Sequence, residues 1–297
     1  MLYYITDLRK SKTGVRIFIL YFMRFYAILI SDQVDIIFDF STERNVAMKF
    51  TTGMTSVTFR EKSIEEISVL ARRAGLSEIE WGADRHVLPS DTQAIKNARF
   101  QMSKNNLRCS SYGSYYRIGD RDEEAFRAIC RTAQALGAGM VRVWLGRIGS
   151  EKTTPSLREQ MLEEVKHLSG IAERYGQTLA FEFHGKTLND NGESSVAFLS
   201  ECAKENVRTY WQPLSFSDNE KNLSLVLPYL SAVHVFTWDD AHCRYPLADG
   251  AHAWKKYLRI LKDANVSTKL IMEFVKDDNA LQFLSDAAVL HEWIQNA

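Results

Sequence analysis

The sequence of 297 residues lacks an excess of charge of either sign, because Lys+Arg and Asp+Glu both number 37. That balance gives no reason to expect nucleic acid or an anionic membrane as a partner, leaving only a local basic patch as a route to either. Cysteine is scarce. Cys109, Cys130, Cys202 and Cys243 are scattered, with no CxxC or CxH spacing. This argues against a zinc site or a disulfide framework and for reduced thiols in a cytoplasmic protein. No Gly-rich phosphate loop of GxGxxG or Walker type is present. No low-complexity linker and no second domain follow Met48.

A membrane-spanning run is also missing. The most apolar stretch, VRIFILYFMRFYAILI (Val15 to Ile30), follows Arg9, Lys10 and Lys12 as an anchor would. Arg16 and Arg24 interrupt it, and it falls short of the ~20 residues a span needs. No small-residue cleavage site follows it. Residues 1–47 therefore read as an N-terminal extension upstream of a natural start at Met48. The alternative is an extra helix and strand packed on the domain.

What remains is ordinary globular composition, 45% hydrophobic and 25% charged, in a chain long enough for one large domain. From Met48 onward, strand and helix signals alternate. The strands read MKFTTGM, SEIEWGA, LRCSSYGS, MVRVWLG, TLAFEFHG, RTYWQPL, SAVHVFTW and KLIMEF. Between them lie amphipathic helices. One opens on the capping box of Ser63 and Glu66 and stops at Gly75, and others stop at Gly137 and Gly176. Alternating strands and helices imply parallel pairing with right-handed crossovers. Eight such units over 48–297 predict a single-domain (β/α)8 TIM barrel of the α/β class, with a doubly wound sheet as the alternative.

In TLAFEFHG, Leu179, Phe181 and Phe183 share one face, and Ala180, Glu182 and His184 share the other. Applied to each strand, this parity turns Arg142, Trp144, Glu182, His184, Gln212, His234 and Glu273 inward near the barrel mouth, with Glu80 and His86 in or after the second strand. Singly, each has an ordinary explanation: a Glu paired with Arg142, a histidine satisfied in the core, a glutamine tying down a turn. Together, four successive strands end in an oxygen or nitrogen donor at one height: Glu182, Gln212, His234 and Glu273. Charged groups are costly to bury unless paired or metal-bound. The ring therefore points to a divalent cation, Mn, Mg, Co or Zn.

These residues resemble the sugar phosphate isomerase/epimerase family, the xylose-isomerase-like TIM barrels. In that family's ketose epimerases, Glu, Asp, His and Glu from the fifth to eighth strands hold the metal. Glu182, His234 and Glu273 match by strand and order, and EIEW (Glu78 to Trp81) resembles the second-strand motif. Gln212 departs from the family's Asp, which implies weaker metal binding. Ser215 stands where the family has a substrate-binding histidine.

The resemblance implies a metal-dependent isomerase or epimerase acting on a sugar or polyol-like carbonyl compound through an enediolate. Glu182 and Glu273 would remove and return the proton. His184 or Lys186 would face the developing oxyanion. Trp144 and Phe236 would wall the sugar, and Arg142 would orient Glu182 or bind a substrate anion. The alternatives are an inosose-type dehydratase or lyase, the family's AP endonuclease branch, which zero net charge disfavours, and a carbohydrate-binding barrel that has lost its metal. Substrate identity, its phosphorylation and a homo-oligomeric state stay open. The loops SSYGSYYRIGD and WDDAHCRYPLADG are candidates for the barrel rim.

Overall fold

The computed structural model describes residues 50–296, together with four short strands between residues 5 and 35. These four, β1 (Ile5–Asp7), β2 (Phe18–Phe22), β3 (Phe25–Ile30) and β4 (Gln33–Asp35), pair antiparallel in chain order. They belong to a unit of their own, Met1–Met48. The apolar run of the sequence supplies β2 and β3, not a spanning helix. Among the described residues no helix is long and apolar enough to cross a membrane. The remainder of the reading of 1–47 as an extension lies outside the described residues.

The second unit is a closed barrel of eight parallel strands. They are β5 (Phe50–Thr55), β6 (Glu78–Gly82), β7 (Arg108–Arg117), β8 (Met140–Trp144), β9 (Thr178–Glu182), β10 (Val207–Trp211), β11 (Leu230–Val235) and β12 (Thr268–Met272). Helices follow them in turn: α1 (Ile64–Arg73), α2 (Thr92–Lys104), α3 (Glu123–Leu136), α4 (Pro155–Arg174), α5 (Gly192–Cys202), α6 (Asn219–Val226), α7 (Ala251–Asp263) and α8 (Ala280–Asn296). The Ser63/Glu66 capping box forms reciprocally at the start of α1, satisfying two orphan backbone donors. Gly137 ends α3 at φ +79°, a left-handed turn that a side chain would resist. Helix α2 carries no clear apolar stripe in the sequence. Only Ala98, Gln101 and Met102 are buried, and Phe100 is exposed.

Two apolar layers result from the period-two alternation of the strands. Outward residues such as Leu179, Phe181 and Val233 pack in the large core that also holds the helices' apolar faces. Inward residues Met140, Ala180, Tyr210, Ala232 and Ile271 form a separate cluster inside the barrel. The polar positions sit on either side of that plug. At the N-terminal end of the strands, Glu78 is tied to Lys269 at 2.7 Å and to Arg108 at 3.5 Å. Toward the C-terminal end, where TIM barrels carry their active sites, the next inward residue of each strand is polar. All four cysteines are free thiols.

Candidate active site

Two residues beyond each member of the inner plug, at the next inward position, β8 to β12 present Arg142, Glu182, Gln212, His234 and Glu273. Strand β6 adds Glu80 from the opposite wall. All six are buried, Glu80 and His234 completely. Ligand atoms of Glu182, His234 and Glu273 lie within 4.8 Å of one another. Nδ1 of His234 is 3.3 Å from Glu273 Oε2, 4.0 Å from Glu182 Oε1 and 2.9 Å from Gln212 Oε1. The four residues expected to share a point are thus brought together, with the imidazole at the centre of the group.

Arg142 is the fixed positive charge of this chamber. It is 2% exposed, donates from Nε to Glu80 at 3.1 Å, and donates from Nη1 to Glu182. The indole N–H of Trp144 donates to the same Glu182 oxygen. Ser111 Oγ donates to Glu80 at 2.7 Å. Gly113 on β7 leaves the room this requires, since a Cβ there would stand 2.6 Å from Arg142 Nη2 and 3.1 Å from Glu80 Oε1.

The ionisation of the three carboxylates follows from this wiring. Burial pushes Glu80 up, but Arg142, His234 and Ser111 together pull it down to about 2. Glu182 is also raised by burial and brought below the ordinary range by Arg142 and His234. Glu273 has no such partner. Burial and the charges of Glu182 and Glu80 outweigh His234 and Arg142 and raise it to about 7. Burial lowers His234, and the charges of Glu273 and Glu80 reverse that and raise it.

The donor set fits a divalent cation. Three buried carboxylates face one buried arginine, so a further positive charge is wanted there. His234 Nδ1 points at the Glu182/Glu273 side. Its Nε2 has no hydrogen bond of normal geometry and faces Glu80 Oε1 at 3.5 Å. A ligating histidine commonly turns its second nitrogen to a carboxylate in this way. Glu182, His234 and Glu273 would hold the ion, with Gln212 Oε1 beside them.

The remaining predicted residues separate into two groups. Trp144 stacks on His184 with ring centroids 4.7 Å apart, and the Arg117 guanidinium lies 3.4 Å from the Trp144 ring centre. His184 Nδ1 is 2.7 Å from the Gly185 carbonyl. His184, Lys186, Gln212 and Phe236 line a cavity of about 850 Å³ formed by the loops after β9, β10 and β11. Arg142 sits where it can orient Glu182, one of its two expected roles: its Nε and Nη1 donate to Glu80 and Glu182, and it is not among the residues that line the cavity. His86 is outside the site and contacts the Lys62 carbonyl at 3.1 Å.

Of the tyrosine-rich loop, Tyr112 and Tyr116 serve packing, with hydroxyls on the Val87 carbonyl and Glu164. Tyr115 instead faces the chamber, its ring 5.7 Å from the Arg142 guanidinium. Asp239 caps the turn at Ala241 and Cys243, and Arg244 pairs with Asp278. Glu80 and Ser111 are the members of the network that sequence reasoning left without a role. The signal for Glu80 is its two-residue spacing from Glu78 in EIEW, which sets both carboxylates on the inner face.

The comparisons agree with this architecture. A family profile described as Xylose isomerase-like TIM barrel matches residues 69–294. No curated protein sequence matches the chain. Among solved structures, the chain is similar to a probable 3-DHS dehydratase, AsbF, of Bacillus anthracis (TM-score 0.71, 14% identity, covering 81% of this chain and 98% of that one). It is similar to a xylose isomerase-like TIM barrel protein of Mycobacterium smegmatis in complex with magnesium (TM-score 0.66, 16% identity, 83% and 97% covered). It is also similar to D-psicose 3-epimerase of Clostridium cellulolyticum H10 with D-tagatose (TM-score 0.65, 14% identity, 83% and 98% covered). At these identities the likeness speaks for the fold. With the profile match spanning most of the barrel, the chain belongs to the xylose isomerase-like TIM-barrel family.

Proposed function

We propose that this barrel is a metal-dependent isomerase or epimerase of a small sugar or polyol-like carbonyl compound. The observation that carries this reading is the convergence of two buried carboxylates, Glu182 and Glu273, on the same nitrogen of His234, at 4.0 and 3.3 Å. Glu182 is kept ionised by Arg142, while Glu273 is raised to about 7. Two titratable groups pushed apart by their surroundings are the usual mark of an acid and a base working as a pair. A divalent cation held by Glu182, His234 and Glu273 would supply polarisation of the substrate carbonyl and stabilisation of the enediolate.

The chain's own residues then do the following. Glu182, ionised and oriented by Arg142 and Trp144, takes the proton from the carbon beside the carbonyl. Glu273 returns one to the other face. His184, at the mouth beside Trp144, presents a nitrogen toward the substrate oxygens. Lys186 adds a positive charge at the rim. Phe236 and Trp144 supply apolar surface for a sugar face. The four free thiols accord with a cytoplasmic setting.

The test is exchange of substrate hydrogen for solvent deuterium, read by NMR, across a ketose and polyol panel with manganese, cobalt, magnesium or zinc supplied. Glu182→Gln should abolish exchange while the far-UV spectrum stays near wild type, since Arg142 keeps its pair with Glu80. Full activity in that variant removes Glu182 from the chemistry. Loss of the mass of one water from the product would mark the protein as a dehydratase.

A further inference from the structure

The cavity beside the ring is larger than one sugar and is not built for an anion. Its lining includes Gln212 at the metal-ligand end and, from α7, Trp254 and Tyr257. Its volume, about 850 Å³, lies near the top of the ~300–1,000 Å³ range of ligand pockets that enclose drug-sized molecules. Its charged lining consists of Asp190, Asp240 and Asp249 against a single lysine, Lys186, with no arginine. A phosphate or carboxylate placed there would meet carboxylates, not the guanidinium forks that recognise such groups. Arg142, the nearest buried cation, is already spent on Glu80 and Glu182.

Two features of the lining favour a neutral ring. At the inner end, Gln212 is buried and its carbonyl oxygen is engaged by His234. Its amide NH2 has no partner among the described residues and borders the cavity, a donor for a hydroxyl. At the outer end, Phe216 lines the same cavity yet is 87% exposed. Its backbone sits at φ +56°, a strained setting for a bulky residue, with its N–H held by Asp240 at 3.3 Å. An exposed aromatic kept in a costly conformation at the lip of a pocket is a surface held ready for a flat, partly apolar partner.

We propose that this cavity is a second subsite, and that the substrate is an uncharged ketose carrying a further neutral sugar unit, which stacks on Phe216. The inference rests on the isomerase or epimerase reading of the ring. The reacting unit exchanges one hydrogen at the carbon beside its carbonyl, and the bond to the second unit is neither formed nor broken.

The experiment compares the ketose disaccharides lactulose and isomaltulose with fructose and fructose 6-phosphate, using manganese-loaded protein in D2O. Deuterium incorporation gives kcat/KM, and quenching of tryptophan fluorescence gives Kd. Either disaccharide should exceed fructose in kcat/KM by roughly ten-fold or more, the worth of one good aromatic contact. Fructose 6-phosphate should fall below fructose. Phe216→Ala removes a side chain that supports no core, so it should fold as wild type and lose most of the disaccharide preference through KM, not kcat. Exchange of fructose or its phosphate at least as fast as the disaccharides overturns the second subsite and leaves the ring's chemistry standing. Disaccharide binding that Phe216→Ala weakens, with no exchange in any compound, keeps the subsite and overturns the isomerase reading. Absence of both binding and exchange of the disaccharides overturns the proposal.

Discussion

Replacing Arg142 with methionine tests the claim that one guanidinium organises the chamber. Methionine fills much of the same space without charge. Arg142 is buried between Glu80, 3.1 Å from its Nε, and Glu182. Removing one member of a buried ion pair costs about 3–5 kcal/mol, because the other is left charged and unpaired. A second route gives the same size. Glu80 is held at about 2 against an ordinary 4.5, and a depression of that size is worth about 3 kcal/mol at neutral pH. For a barrel of this length, such a loss lowers the melting temperature by about 6–20 °C, at about 2–4 °C per kcal/mol.

The pH dependence separates this cause from a packing defect. In the wild type, Glu80 has a depressed folded pKa. Its stabilisation is present above 4.5 and is lost only as pH falls toward about 2. In Arg142→Met, Glu80 and Glu182 lose their counter-charge, and burial alone then raises both above their unfolded values. They take up protons, and relieve the penalty, as pH falls. Calorimetric melts of chelator-treated protein should therefore show a gap that is widest near pH 8 and narrows toward pH 4.5. A gap of under about 1 kcal/mol, or one that keeps its size across that range, would refute the reasoning.

Two further outcomes follow from the same network. Glu80→Gln keeps hydrogen-bonding reach to Arg142 and Ser111 but removes the negative charge facing His234 Nε2. Manganese affinity measured by calorimetric titration should drop about 10–100-fold, and an unchanged affinity would mean that Glu80 serves Arg142 alone. Glu273 has a raised folded pKa, so its contribution favours the folded state below its unfolded value near 4.5 and is lost as pH rises through about 7. Metal-free Glu273→Gln should melt above the wild type at pH 8 and level with it at pH 4.5, and a wild-type slope in the variant would contradict the assignment.

Period-two alternation made the inward set readable, because a strand in a closed barrel has only two faces. That is why Glu182, His234 and Glu273 converge as the pattern of FEF, VHV and MEF suggests. Which inward residues touch is a different matter. It depends on the stagger between neighbouring strands, and the β6–β7 register shifts between Ile79 and Glu80 while β7–β8 shifts after Gly113. No motif announces those shifts, so the reach of Arg142 to Glu80 as well as to Glu182 was hidden. The cavity was hidden for another reason. Its loops turn at Lys186, Phe216 and His242, all at positive φ without glycine, and a sequence signals such turns only when glycine marks them.

The plug of Met140, Ala180, Tyr210, Ala232 and Ile271 beneath the ring has a bearing on where protons travel. These largely hydrocarbon side chains offer no chain of hydroxyls to the far end of the barrel. The Tyr210 hydroxyl has no hydrogen bond of normal geometry among the described residues. A hydrogen lifted from a bound molecule therefore has a single exit, the doorway by which that molecule entered. Glu182 must therefore shed the proton it took, and Glu273 regain the one it gave, through that same doorway, after one bound molecule has left and before the next arrives.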